Sequence, residues 1–190
     1  LANNTTANSN TAVGRSALNS NTTAASNTAV GYYALKANTT GSSNTAFGYG
    51  SLDANTTGSE NTAVGHSALG SNTTGYQNVA MGRYAGNVIT EGFENTAIGY
   101  RALSQCTTGD HNTAIGHDAL EQVSTGSYNS ALGRDAGRSI TTGSNNICIG
   151  ENSNDAGDTT GVIAIGSFAL TTNTADKNVA IGYFAGRLNT

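Results

Sequence analysis

Large apolar residues recur along the chain at a fixed step, each one place before a glycine: Val13, Val30, Phe47, Val64, Met81, Ile98, Ile115, Leu132, Ile149, Ile165 and Ile181. The step is 17 residues as far as Ile149 and 16 for the last two, which puts one deletion in each of two late repeats. A second apolar column stands four residues after the glycine, with Leu18, Leu35, Leu52, Leu69, Leu103, Leu120 and Leu170. It is interrupted at Gly86, Gly137, Asn154 and Gly186, and Ile89 and Ile140, three places on, offset two of the gaps. A fixed period of this length marks a stacked repeat in which neighbouring units bury a shared core.

The first half of each unit predicts a short strand. In NTAIG (95–99) and NVAIG (178–182) the residue two before the large apolar one is Thr or Val, β-branched and on the same face under period-two alternation. Helix is opposed by the recurring NTT and TTG and by apolar residues five apart, which do not share a helical face. One repeat is then one rung of a parallel β-roll or β-solenoid, and eleven rungs at ~4.8 Å span roughly 50 Å. Both apolar columns are expected inside. The glycine and the Asn four before it are expected at corners, because both tolerate positive φ. Residues 1–190 form a single all-β array, with one irregular rung at 151–161, where the repeat degenerates to ENSNDAGD. Leu1 falls in the leucine column and Thr190 in a threonine column, so the chain reads as a piece of a longer array.

Composition excludes the alternatives. Gly, Ala, Ser, Thr and Asn make up 122 of 190 residues, with no Pro and no Trp. Side chains this small bury too little area each to offset ordering entropy, so backbone hydrogen bonding and regular stacking must carry much of the stability. The net charge is −4 with only eight Lys and Arg in total, which leaves no basic face for nucleic acid. No apolar run approaches the ~20 residues of a membrane-spanning helix, so no membrane insertion is expected.

The NTAVGxxAL and NVAIGxxAG units resemble the head repeats of trimeric autotransporter adhesins (YadA-like). They resemble more closely the NTAVGxxAL…NTTGSxNTAVG arrays of phage tail fibres and predatory-bacterial surface fibres. The resemblance covers nearly the whole chain, although 17 residues is a longer step than the adhesin heads use. It implies a left-handed parallel roll assembled as a homotrimer, at a cell surface or on a virion, and a shaft that carries a receptor- or glycan-binding tip outside these residues.

Several columns invite chemistry. The residue after the glycine reads Arg15, Tyr32, Tyr49, His66, Arg83, Tyr100, His117, Arg134, Glu151, Ser167, Tyr183. Nine of these eleven are aromatic or cationic, so the column forms either an outer stacking ladder or a strip for carbohydrate. His66, His111 and His117 lack Cys or His partners at ligand spacing, and no metal or cofactor is expected. Asp118 and Asp135 share a column on adjacent rungs, about the ~5 Å separation of a retaining glycosidase. Each stands beside a cationic neighbour on a regular surface, however, and charge on a solvated face is the ordinary outcome, so no catalytic residues and no enzyme are expected. ENSNDAGD offers oxygens without the terminal Glu of a calcium loop. Cys106 and Cys148, in different columns, read as small apolar fillers. The Thr pairs, Thr39/Thr40 and Thr56/Thr57 among them, suggest ice binding, but alternation leaves one outward file of each pair.

Assembly is read from the residue two before the glycine: Ala12, Ala29, Ala46, Ala63, Ala80, Ala97, Ala114, Ala131, Cys148, Ala164 and Ala180, all small. With the Val/Ile column inside, alternation turns this column to solvent, where only close approach of a neighbour would exclude long side chains. The expectation is a trimer interface. The rival is a sharp bend that puts both columns inside.

Overall fold

The computed structural model describes residues 3–186, so Leu1 and Thr190 lie outside the described residues. Eleven three-residue strands follow one another with no helix among the described residues: β1 Thr11–Val13, β2 Thr28–Val30, β3 Thr45–Phe47, β4 Thr62–Val64, β5 Val79–Met81, β6 Thr96–Ile98, β7 Thr113–Ile115, β8 Ser130–Leu132, β9 Ile147–Ile149, β10 Ile163–Ile165 and β11 Val179–Ile181. They form one parallel sheet in sequence order, and each strand pairs in register with the next, Ala97 opposite Ala114 and Ile98 opposite Ile115. The protein is a β-solenoid of about ten turns with a repeat of ~17 residues.

The interior differs from the sequence expectation in which strand face it takes. Ala29, Ala46, Ala63, Ala80, Ala114, Cys148 and Ala164 are fully buried, and Ala97, Ala131 and Ala180 nearly so; Ala12, on the first rung, is half-buried and packs on the same cluster. The Val/Ile column faces out: Val13 and Phe47 are 56% exposed and Ile181 69%. Both the outward Ala column and the doubly interior rung are therefore corrected. Alternation in a three-residue strand puts neighbours on opposite faces, and bulk selects the face. The lumen is thin. On the rung beginning at Asn27, the buried residues are Asn27, Ala29, Ala34, Leu35, Asn38 and Gly41, and a second large residue on the strand would not fit opposite the leucine.

The leucine column is interior as expected, fully buried from Leu18 to Leu120. Where glycine replaces leucine, isoleucine fills the space. A Cβ on Gly86 would lie 3.1 Å from Ile89 Cδ1 and 3.0 Å from Leu69 Cδ2. Gly137 stands in the same relation to Ile140 and Leu120.

The corners are also redistributed. The glycine ending each strand has φ between 121° and 141°, and a Cβ on Gly65 would lie 2.6 Å from the Gly82 carbonyl oxygen, so backbones of adjacent rungs touch there. Asn27, by contrast, is not a positive-φ corner; Ser26 before it is, at 61°. The asparagines point inward and make ladders. Asn61 Nδ2 donates to the Gly75 carbonyl and to Asn44 Oδ1, while Asn61 Oδ1 accepts the backbone N–H of Asn78. This ladder runs from Asn10 to Asn146. A second one joins Asn21, Asn38, Asn55 and Asn72.

Candidate functional surface

The strand face is a continuous outward feature. Its two columns are Thr11, Thr28, Thr45, Thr62, Val79, Thr96, Thr113, Ser130, Ile147, Ile163, Val179 and the Val/Ile series, so each rung presents two side chains at the rung spacing. Toward β9 to β11 both columns become apolar, with Val179 65% exposed. This two-column face is not the Thr-pair file read from the sequence. In the pairs that start at Thr22, Thr39, Thr56, Thr73 and Thr107 the first hydroxyl bonds the next rung's carbonyl, as Thr39 Oγ1 does that of Thr56 at 3.0 Å, and the second threonine, as at Thr40, is exposed in single file.

The column after the glycine lies outside and stacks. Tyr32 and Tyr49 are 5.2 Å apart at an interplanar angle of 11°, Tyr49 and His66 are 4.9 Å apart at 11°, and Arg15 sits 5.6 Å from the Tyr32 ring. Farther along, Tyr100 meets His117 at 5.0 Å, Arg83 packs on Tyr84, and Tyr183 tilts onto Phe184. Stacking covers both faces of Tyr49 and leaves its edge and hydroxyl outward, so a sugar would meet ring edges there rather than the faces that CH–π contacts need.

A second aromatic ladder was missed in the sequence. Tyr76 and Phe93 stack at 4.9 Å and 2°, Phe93 meets His111 edge-on at 5.2 Å, and His111 stacks on Tyr128 at 4.7 Å. The signal was there, since Tyr76 and Phe93 are 17 apart, as are His111 and Tyr128. The step from one column to its neighbour hid the continuity.

Asp118 and Asp135 do share a column, as read, but they are not on a solvated face. They are 7% and 6% exposed, inside a network of charges that crosses rungs. Glu121 accepts from Arg101 and, at 2.8 Å, from Arg138 Nε. Arg134 Nε pairs with Asp135 Oδ2 at 3.1 Å and His117 Nδ1 lies 3.0 Å from Asp118 Oδ2. The sequence signal was the repeated acidic residue two places after the glycine at two successive rungs. Both aspartates sit at a left-handed turn position, φ 56° and 55°, but Tyr84 and Arg101 in the same column are only half-buried, so the turn alone does not bury them.

No family model, curated protein or solved structure matches the chain. The residues themselves must carry the functional reading.

In the irregular rung, Asp158 replaces a backbone acceptor. On a regular rung the carbonyl of Thr73 accepts the N–H groups of Thr56, Thr57 and Gly58. Asp158 Oδ1 instead takes those of Thr141, Thr142 and Gly143, at 2.9, 2.8 and 2.6 Å, and its other oxygen takes the Thr142 hydroxyl. These donors hold its carboxyl well below the usual range against the opposing effect of partial burial. Cys106 and Cys148 are both buried and unbridged, and burial pushes both thiols up to about 12, which leaves them unreactive fillers.

Proposed function

We propose that the chain is a non-enzymatic structural segment of an elongated homotrimeric fibre outside the cell or on a virion, which holds a receptor-binding tip away from the surface that bears it. One observation carries the reading: an apolar strip on the strand face, with Val13, Phe47, Met81, Leu132, Ile149 and Ile181 all among its exposed large residues, follows the whole stack. Monomeric proteins avoid contiguous outward apolar surface of this extent. Parallel copies packed on this strip would cover it along its length, each rung facing an equivalent rung. The interface thus belongs to the Val/Ile column rather than to the alanines. The number three is what the resemblance of the NTAVG units implies. Regular inter-rung hydrogen bonding without a singular concave site is also what a shaft needs.

Sedimentation equilibrium tests this directly. The unmodified chain is expected to sediment as a trimer. The double variant Ile98→Lys with Ile115→Lys is expected to sediment as a monomer that keeps its β circular dichroism, because two unpaired ammonium groups per chain would be buried at the contact. A monomeric unmodified chain, or a trimer indifferent to these lysines, defeats the reading.

A further inference from the structure

Three side chains from two adjacent rungs converge just outside the leucine column. His117, Asp118 and Asp135 each place a ligand atom within 4.8 Å of the other two. The two carboxylates are about nine-tenths buried, whereas the imidazole is half-exposed and gives access from solvent. Asp118 Oδ1 is buried and accepts no hydrogen bond, the nearest cation being Arg101 Nε at 3.9 Å. A buried carboxylate oxygen without a donor is costly, and a bound cation is one way to satisfy it.

Charge points the same way. Arg101, Arg134 and Arg138 face Asp118, Glu121, Asp135 and Glu151, and Asp155 is near enough to Arg138 and Asp135 to feel their charges. Three guanidinium groups against five carboxylates leave an excess of two negative charges, which one divalent ion balances. One imidazole nitrogen and two carboxylate oxygens suit a borderline transition metal better than calcium or magnesium, which take oxygen throughout. We propose that His117, Asp118 and Asp135 bind one divalent transition-metal ion of the zinc class and so clip two neighbouring rungs together.

In the bound state Nδ1, which lies 3.0 Å from Asp118 Oδ2, takes the metal and the imidazole hydrogen sits on the outer Nε2. Arg134 must release Asp135 Oδ2, and its second contact, Glu151 Oε1 at 3.4 Å, is there to receive it. The spacing criterion missed this set because two ligands are adjacent in sequence and the third lies a full rung away.

The test is calorimetric titration of the untagged chain with Zn2+, with Co2+ as a spectroscopic stand-in. One ion per chain is expected, with Co2+ bands that lack thiolate charge transfer, since both cysteines are buried elsewhere. His117→Ala alters an exposed side chain and leaves the fold intact, yet is expected to weaken Zn2+ binding by more than about tenfold. Arg134→Ala removes the competing cation and is expected to tighten it. His66→Ala, in the distant aromatic stack, is expected to bind as the unmodified chain does. No saturable binding, or equal binding by His117→Ala, overturns the proposal.

Discussion

The rungs from Asn21 to Asn72 and those from Ile89 to Ile140 share one backbone and fill one interior position in opposite ways. In the first group the position is asparagine, and Asn55 Nδ2 donates to Asn38 Oδ1 at 2.8 Å and to the Gly58 carbonyl at 2.9 Å. In the second it is Ile89, Cys106, Val123 and Ile140, all fully buried and apolar. The change is possible because the turn carbonyl has two suitors. Gly58 accepts from Asn55 and from Asn44, while Gly126, beside Val123, accepts from Asn112 alone. Losing the second ladder thus leaves no turn carbonyl unpaired. The price falls at the junction, where Asn72 Oδ1 faces Ile89 and has no partner. The second ladder is redundant wherever the first is present, and where the first lapses, at Val162, Asn173 in the second position takes the turn carbonyl of Ala175.

The largest expected effect breaks that redundancy. Asn61→Ala and Asn112→Ala each remove the acceptor of the next rung's backbone N–H, that of Asn78 or Asn129, and each should lower stability by about 3–5 kcal/mol. Only in the second does a turn carbonyl lose every donor, because Gly75 keeps Asn72 and Gly126 keeps nothing. Chemical denaturation should therefore place Asn112→Ala below Asn61→Ala by a further ~1–3 kcal/mol. Equal values would mean that the two ladders are not backups for one another.

How much of this was legible follows from the physics of each position. The repeat, the strand in each unit, the parallel stacking and the Gly86/Ile89 exchange were all readable, because period and volume are properties of sequence. Which strand face is inside was not. Alternation relates Ala97 to Ile98 without saying which is buried, and the habit of placing large apolar residues inside gave the wrong answer for a lumen too narrow to hold them. The asparagines were misread because Asn favours corners as well as ladders, and only the structure shows Ser26 taking the positive φ in place of Asn27. Asp118 and Asp135 were correctly put in one column, and their burial depends on neighbours that only the folded array brings up, Arg101 of the preceding rung beside Asp118 among them.

A smaller effect sharpens the comparison at the junction itself. Ile89→Asn would offer a donor to Asn72 Oδ1 but vacate the space Ile89 fills above Gly86, at about 1–3 kcal/mol. Gly86→Leu alone would crowd Ile89 Cδ1 and Leu69 Cδ2, at a comparable ~1–3 kcal/mol. Together the two changes rebuild the rung found at Leu69 and Asn72. The double variant is expected near the unmodified stability, with a favourable coupling of about 2 kcal/mol or more in a double-mutant cycle. Additive losses would show that the two kinds of rung differ in backbone as well as in filling.

The smallest expected effect comes from the rung where an aspartate takes the place of the threonine carbonyl, and it appears only in acid. A carbonyl such as that of Thr73 does not titrate, whereas Asp158, with three backbone N–H groups and a hydroxyl on its carboxylate, does. Its folded-state pKa is depressed, so its contribution to stability is complete above the unfolded-state value of about 3.9 and is lost as the pH falls below that toward the folded value. Asp158 is exposed, and solvent screening keeps the effect modest. Asp158→Asn keeps an acceptor oxygen and removes the charge. Melting temperatures measured from pH 6 down to about pH 2 should converge for the two chains as acid neutralises Asp158, with the unmodified chain the more stable at the upper end. Equal melting temperatures across the range would mean that the amide serves the three N–H groups as well as the carboxylate does, and that the irregular rung differs from its neighbours in shape but not in electrostatics.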